Sequence, residues 1–211
     1  MSVLICVPTT GDIHSETAEV ALAICANHAG GASFRTVRAH PTDRCRDLCV
    51  QGFLQSPHSH LLLLDSDVVP PADCLELMLS VDRPVVCGIY PLVIETQLCT
   101  SVARKLAPNK YGFLHDFPDE PFEIDAAGMG CCLIAREVFE RIAYPWFKFE
   151  VRPDGHMTGE DIYFFERCAE IGIRPIVVPR VLCAHHRAVD LLGLYQELRV
   201  LRREKDLRQA A

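Results

Sequence analysis

Net positive charge, long apolar runs and paired-cysteine motifs are all missing from this sequence, and each absence closes a class of function. Lysine and arginine number 21 against 28 acidic residues, a net charge of −7. That excludes the general cationic surface behind non-specific nucleic-acid binding, although a local basic patch stays open. No apolar run approaches the roughly 20 residues that span a bilayer. The opening stretch, MSVLICVPTTGD, has no cationic region and meets Pro8 early, which does not fit a secretory signal. Cysteine is plentiful, eleven in 211 residues, yet the count is odd and no two are spaced C-x-x-C. Disulfide scaffolds are shorter and denser in cysteine, and zinc ribbons use paired knuckles. The thiols therefore read as small core residues in a reduced, cytoplasmic chain.

What is present is core material. Apolar residues make up 49% and charged residues 23% of the chain, enough for one domain or little more. Val3–Val7 is a continuous apolar run stopped by Pro8, as in a strand buried on both faces. Helical spacing follows at Thr17, Val20, Ala21, Ile24 and His28, ending at Gly30-Gly31. A second strand covers Ser33–Arg38. Cys45, Leu48, Cys49, Gly52 and Phe53 then share one helical face, with Thr42 or Asp43 as the expected cap. His60–Leu64 is a short apolar strand ending at Asp65. Pro70-Pro71 opens a helix bearing Leu75, Met78 and Leu79, and Val85–Cys87 is another buried strand. This β-α-β-α-β-α-β order implies a mostly parallel sheet with helices on both faces. The second half is less regular: an acidic loop, a glycine-rich stretch, a helix through Ile162 and Phe165 closed by Gly172, and a strand at Ile176–Val178.

Asp65-Ser66-Asp67 leaves the end of a strand, where open α/β sheets bind ligands. Two carboxylates at i and i+2 there can hold a hard divalent cation together with a substrate diphosphate. Their bland alternative is to cap the helix near Pro71. Glu160-Asp161 opens a helix, where acids are stabilised by the dipole. The dipole also lowers a carboxyl pKa, so a general base there requires burial or metal-site geometry. His185-His186 follow an apolar strand-like run, and a neutral imidazole is a common metal ligand.

These segments together resemble the GT-A glycosyltransferases, particularly family-2-like bacterial and phage members. The likeness runs from Arg44-Cys45-Arg46-Asp47 through His60–Leu64, Asp65-Ser66-Asp67 and Pro70-Pro71. It continues in Cys87–Pro91, Ala127–Ile134, Gly159-Glu160-Asp161 and Val181–His185. The resemblance implies a single GT-A, Rossmann-like domain over residues 1–190, its nucleotide-binding half at 1–100 and its acceptor and catalytic half at 101–190. It implies nucleotide contacts from Pro8, Thr9, Arg46, Asp65 and Ser66, and an Mn²⁺ or Mg²⁺ site from Asp65, Asp67 and His185, with His186 as the competing histidine. Asp161 matches the general base of inverting members, with Glu160 beside it, and Gly128–Cys132 the floor of the sugar pocket. One departure is Asp47, where the family often has Asn. The partners implied are a nucleotide-sugar donor and an acceptor that is a glycan, lipid, small molecule, protein or modified nucleic acid.

Two other functions fit parts of the pattern. Asp65-Ser66-Asp67-Val68-Val69 also suits a haloacid-dehalogenase-like phosphatase with Asp65 as nucleophile, and a non-catalytic nucleotide-sugar binder would need neither Asp161 nor His185. Three further segments are open. The acidic residues Asp116, Asp119, Glu120, Glu123 and Asp125 are a solvated loop or a mobile lid. Trp146, Phe147 and Phe149 are core or an aromatic face for an acceptor sugar. Residues 191–211 read as an amphipathic basic helix, with Leu191, Leu194, Leu198 and Leu201 on one stripe. That helix docks on the domain, forms a homodimer contact or lies on a membrane surface.

Overall fold

The structure, a computed structural model, describes residues 1–94, 97–188, 192–193, 195–196 and 198–200. Its first half alternates strand and helix: β1 (Val3–Thr9), α1 (Ser15–Asn27), β2 (Ala32–Arg38), α2 (Thr42–Leu54), β3 (His60–Leu64), β4 (Val68–Val69), α3 (Cys74–Leu79) and β5 (Val85–Ile89). The second half begins with two hairpins, β6 (Pro91–Ile94) with β7 (Gln97–Thr100) and β8 (Val102–Ala107) with β9 (Lys110–Phe113). Then come β10 (Phe122–Glu123), β11 (Ala126–Ala127), β12 (Cys131–Ala135), α4 (Arg136–Arg141), β13 (Glu150–Val151), β14 (Met157–Thr158), α5 (Glu160–Glu170), β15 (Ile176–Leu182) and β16 (Ala184–His185).

Seven strands form the central sheet in the order β10-β15-β5-β12-β3-β1-β2. The β1–β2, β1–β3 and β5–β15 pairs are parallel, whereas β12 and β10 run antiparallel to their neighbours. Because successive side chains of a strand point to opposite faces, β1 sends Leu4 and Cys6 into one core layer and Val3, Ile5 and Val7 into the other. The first layer is closed by α2, α4 and α5 through Cys49, Phe53, Phe139, Phe164 and Phe165. The second is closed by α1 and α3 through Ala21, Ile24, Leu75 and Met78. Helices thus cover both faces of a mostly parallel sheet.

Two local expectations are corrected. The cap of α2 is Pro41, with no side-chain cap bond; Asp43 instead accepts the Arg44 and Phe149 amides. Helix α3 begins at Cys74, since the residues after Pro71 first make a tight turn in which the Cys74 amide bonds the Pro71 carbonyl. The glycine-rich stretch leads into β12, which lies between β3 and β5. Ten of the eleven cysteines are buried and Cys25 is half-buried, all as free thiols. Trp146 and Phe147 are core, while Phe149 is 41% exposed. In the acidic segment, Phe122–Glu123 pairs with β15 as the sheet's edge, and Glu123 forms an ion pair with Arg83. Residues 192–193, 195–196 and 198–200 are helical; the rest of the amphipathic helix read over 191–211, and the dimer contact attached to it, lie outside the described residues.

Candidate active site

The carboxyl ends of β1 and β3 converge on a cavity of about 320 Å³. It is lined by Pro8 and Thr9 from β1, Arg46 from α2, and Asp65, Ser66 and Asp67 leaving β3. Thr9 turns the chain sharply: its hydroxyl donates to the Asp12 carbonyl at 2.7 Å and accepts the Gly11 amide at 3.0 Å. The Asp65 amide donates to the Gly130 carbonyl at 3.0 Å, fastening the acidic turn to the start of β12.

Arg46 is the electrostatic centre of the cavity. It is buried, with Nη2 donating to Asp65 Oδ2 at 3.3 Å and Nε donating to Glu160 Oε1 at 3.2 Å. Nη1 stands 3.0 Å from Asp65 Oδ1, close enough for an ion pair but without the alignment of a hydrogen bond. Burial alone would favour loss of the guanidinium proton, but the charges of Asp65 and Glu160 outweigh it and hold Arg46 firmly cationic. Glu160 therefore faces Arg46, while its neighbour Asp161 does not share that contact. Burial, reinforced by the charge of Glu160, lifts the Asp161 carboxyl to about 6. Its Oδ1 accepts the Ile162 amide at 2.7 Å, and that bond and the charge of Arg46 oppose the rise without cancelling it. At the first turn of α5, desolvation thus overcomes the helix dipole.

Asp47, next to Arg46, is buried and points the other way. Its Oδ1 accepts the backbone amides of Trp146 and Phe147 at 3.2 and 3.1 Å. An Asn carbonyl could make the same two bonds. The carboxylate is costlier there: burial raises its pKa to about 6 despite both amides.

The two late histidines separate clearly. The short ladder between β4 and β16 sets His185 opposite Val68, one residue beyond Asp67. His185 Nδ1 lies 2.8 Å from the Pro91 carbonyl. A carbonyl can only accept, so Nδ1 carries the proton and Nε2 holds the lone pair. That Nε2 is 3.6 Å from Asp67 Oδ2 and accepts from Arg187 Nε at 2.9 Å. Arg187 Nε also lies 3.7 Å from Asp67 Oδ2. His186 turns away, stacking on His14 with ring centroids 3.7 Å apart and meeting Glu16 at 3.1 Å. Among the described residues, His14, Glu16 and His186 are the three metal-capable side chains whose ligand atoms lie within 4.8 Å of one another. The parallel rings leave the two imidazole lone pairs unconverged. Asp65 is drawn toward Arg46, so the structure brings Asp67 and His185 together while Asp65 is engaged by the guanidinium.

Tyr90 connects the two sides. Its hydroxyl accepts the Gly130 amide at 3.1 Å, and its ring meets His185 edge-on at 5.1 Å. A Cβ on Gly128 would come 2.1 Å from that hydroxyl, and one on Gly130 would come 2.8 Å from the ring. These glycines are demanded by the tyrosine packed over them. The β4–β16 ladder and the Pro91 contact carry no short-range sequence signal and escaped the sequence reading. Tyr90 lay within a recognised motif but without an assigned role.

Comparison of the sequence with known families and with curated proteins finds no match. Solved structures do match. A197 from STIV superposes with a TM-score of 0.61 at 24% identity, covering 89% of this chain and 87% of that one. A structure of GalNAc-T7 with UDP, GalNAc and Mn²⁺ superposes with a TM-score of 0.57 at 13% identity, covering 90% of this chain and 43% of that one. At such identities the likeness is one of fold. The chain has an α/β fold of the GT-A type, a mostly parallel sheet with helices on both faces.

Proposed function

We propose that this protein is a divalent-metal-dependent glycosyltransferase, of the family-2-like kind its motifs resemble, acting with inversion from a nucleotide-sugar donor. The observation that carries the reading is the convergence of Pro8, Thr9, Arg46, Asp65, Ser66 and Asp67 on one cavity, with the His185 lone pair facing Asp67. Arg46 adds a buried cation, held by Asp65 and Glu160, at the wall of this cavity.

The residues fit Mn²⁺ or Mg²⁺. Asp67 supplies carboxylate oxygen and His185 an imidazole nitrogen whose other N–H is fixed by a carbonyl, the usual outer-shell arrangement of a metal-binding histidine. Two ligand atoms 3.6 Å apart suit one ion, and the exposed Arg187 guanidinium already brings positive charge to both. A bound ion would supply Lewis-acid stabilisation of the leaving diphosphate. Asp65, both of whose oxygens face Arg46, would contact the ribose, or the ion through water, while Glu160 acts by holding Arg46. Pro8, Thr9 and Ser66 position the nucleotide.

Asp161 takes the proton. The acceptor hydroxyl oxygen bonds the anomeric carbon, its proton passes to the Asp161 carboxylate, and the bond from that carbon to the diphosphate oxygen breaks with its electron pair. A carboxyl near 6 is ionised at neutral pH yet basic enough to share the proton in the transition state. The phosphatase alternative asks Asp65 for a free attacking oxygen, and both of its oxygens face the Arg46 guanidinium. Eleven free thiols and, among the described residues, no helix long and apolar enough to cross a membrane agree with a place in the cytoplasm.

The test is calorimetric titration of UDP, GDP, ADP, CMP and dTDP with and without Mn²⁺. One nucleotide should bind in a metal-dependent way, and Asp67→Ala should abolish that dependence. Binding of none, with phosphate-ester hydrolysis that Asp65→Asn removes, would establish the phosphatase instead.

A further inference from the structure

A second cavity opens at the carboxyl ends of β5 and β15, and its chemistry is the reverse of the first. It measures about 340 Å³, and its lining is formed by Ile89, Pro91, Leu98, Leu182 and Cys183, with Thr100 and His115 at the side. The two polar residues are already engaged with backbone: the Thr100 hydroxyl donates to the Leu114 carbonyl at 2.7 Å, and His115 Nδ1 lies 3.2 Å from the Leu98 carbonyl. The surface they leave to a ligand is mainly hydrocarbon.

The register shows how this surface is assembled. In the β6–β7 hairpin Pro91 pairs with Thr100 and Val93 with Leu98, so these four side chains share one face. On the sheet Leu182 pairs directly with Ile89. Of the residues lining the cavity, Leu98 and Leu182 are 69% and 57% exposed. Isolated apolar residues on a surface need no explanation, but a group of them around one concavity marks a binding site.

Position identifies the occupant. Pro91 is both a wall of this cavity and the residue whose carbonyl fixes His185, and Leu182-Cys183 lead directly into His185. The apolar cavity is therefore built onto the same histidine that faces Asp67. We propose that it receives an alkyl or aryl group carried by the acceptor, so that the acceptor is a hydroxyl-bearing head with an apolar appendage. This inference rests on the transferase reading above. The polar cavity takes the charged donor, and the hydrocarbon cavity selects what the sugar is moved onto.

The experiment uses the full chain loaded with Mn²⁺ and whichever nucleoside diphosphate it binds. Titration with n-octyl β-D-glucopyranoside, kept below its micelle-forming concentration, is compared with methyl β-D-glucopyranoside. The two share a head and differ by seven methylenes of apolar surface. The octyl compound should bind at least tenfold more tightly. Leu182→Asp should cut that preference below twofold, and the milder Leu98→Ser should reduce it, while both leave nucleotide affinity unchanged. Equal binding of the two glycosides, or a preference that survives Leu182→Asp, overturns the assignment. So does sedimentation showing a dimer that Leu182→Asp dissociates, since the face would then belong to a second copy. If nucleotide binds and the octyl preference is missing, only the acceptor cavity fails. If no nucleotide binds, the transferase reading fails and takes this inference with it.

Discussion

The two ends of the sheet's carboxyl edge solve opposite problems. Over β1 and β3 the cavity is formed by charges that are held before any ligand arrives: Arg46 is gripped by Asp65 and Glu160, and the Asp65 turn is tied to Gly130. Over β5 and β15 the cavity is walled by a two-stranded hairpin with exposed valine and leucine. A charged ligand needs donors already oriented, because reorganising them costs much of the binding energy. A hydrocarbon group needs only area and shape. Strand β12, antiparallel between β3 and β5, divides the two ends. Under the proposed function, rigid machinery on parallel strand ends and a simpler apolar face on a hairpin would suit a constant donor and a variable acceptor.

The sharpest break between the ends should come at Asp161. Asp161→Asn is expected to lower transfer by about 10²–10⁴-fold, the usual worth of a positioned base, while nucleotide binding stays intact. In the wild type, activity should rise with pH through a midpoint near 6 and then level, because only the ionised carboxyl accepts the proton. A flat profile between pH 5 and 8 would remove Asp161 from the mechanism.

Removing Arg46 tests whether the polar end is also a structural anchor. Arg46→Met strands the buried Glu160 and the partly buried Asp65, and breaking a buried pair in this way costs about 3–5 kcal/mol. Urea unfolding should show a loss near that size; a loss under about 1 kcal/mol would mean that the ion pairs are dispensable to the fold. Asp67→Ala should be milder for stability, since Asp67 is partly exposed. Its Mn²⁺-dependent nucleotide affinity should fall by about 10–100-fold or more, at least the effect of losing an outer-shell partner. Calorimetry with and without EDTA distinguishes this from a general loss of binding.

The smallest effect is expected at Asp47. Its folded pKa of about 6 lies above the ordinary carboxylate value of 3.8, so the native state holds its proton more tightly than the unfolded chain. Its contribution to stability is full below pH 3.8 and declines as pH rises through 6. Asp47→Asn removes that decline while keeping an oxygen for the Trp146 and Phe147 amides. The variant should therefore gain on the order of 1–2 kcal/mol over wild type at pH 8 relative to pH 4. Parallel pH–stability curves for the two proteins would show that Asp47 does not titrate as described.

The polar end was far more legible in the sequence than the apolar one. Val3–Val7 and His60–Leu64 are unbroken apolar runs with turn chemistry at their ends, and the residues that follow them line the nucleotide-sized cavity because parallel strands deliver their carboxyl ends to one edge. The apolar end depends on pairings between distant segments. Nothing local at Pro91–Thr100 announces that its face will meet Leu182. Strand β12 was hidden differently: Cys131–Ala135 has the same kind of buried run as β3 and β5 on either side, and periodicity carries no information on direction. The β4–β16 ladder is two residues long on each side, too short for any period, yet it places His185 beside Asp67.

One consequence concerns chain length. Arg46 and Asp47 are consecutive on α2 but reach Asp65 and Glu160 in one direction and the Trp146-Phe147 backbone in the other. Each residue advances an α-helix by about 100°. A single codon inserted between Asp47 and Cys49 would therefore turn both side chains by about 100° relative to the Cys49, Val50 and Phe53 face packed on the sheet, and so away from all four partners at once. The helix works as a key with two adjacent teeth, and its length is constrained independently of its composition. In an insertion scan, soluble yield should collapse across that turn while the exposed segment 118–121 accepts extra residues; equal tolerance at both places would show that the key does not bind.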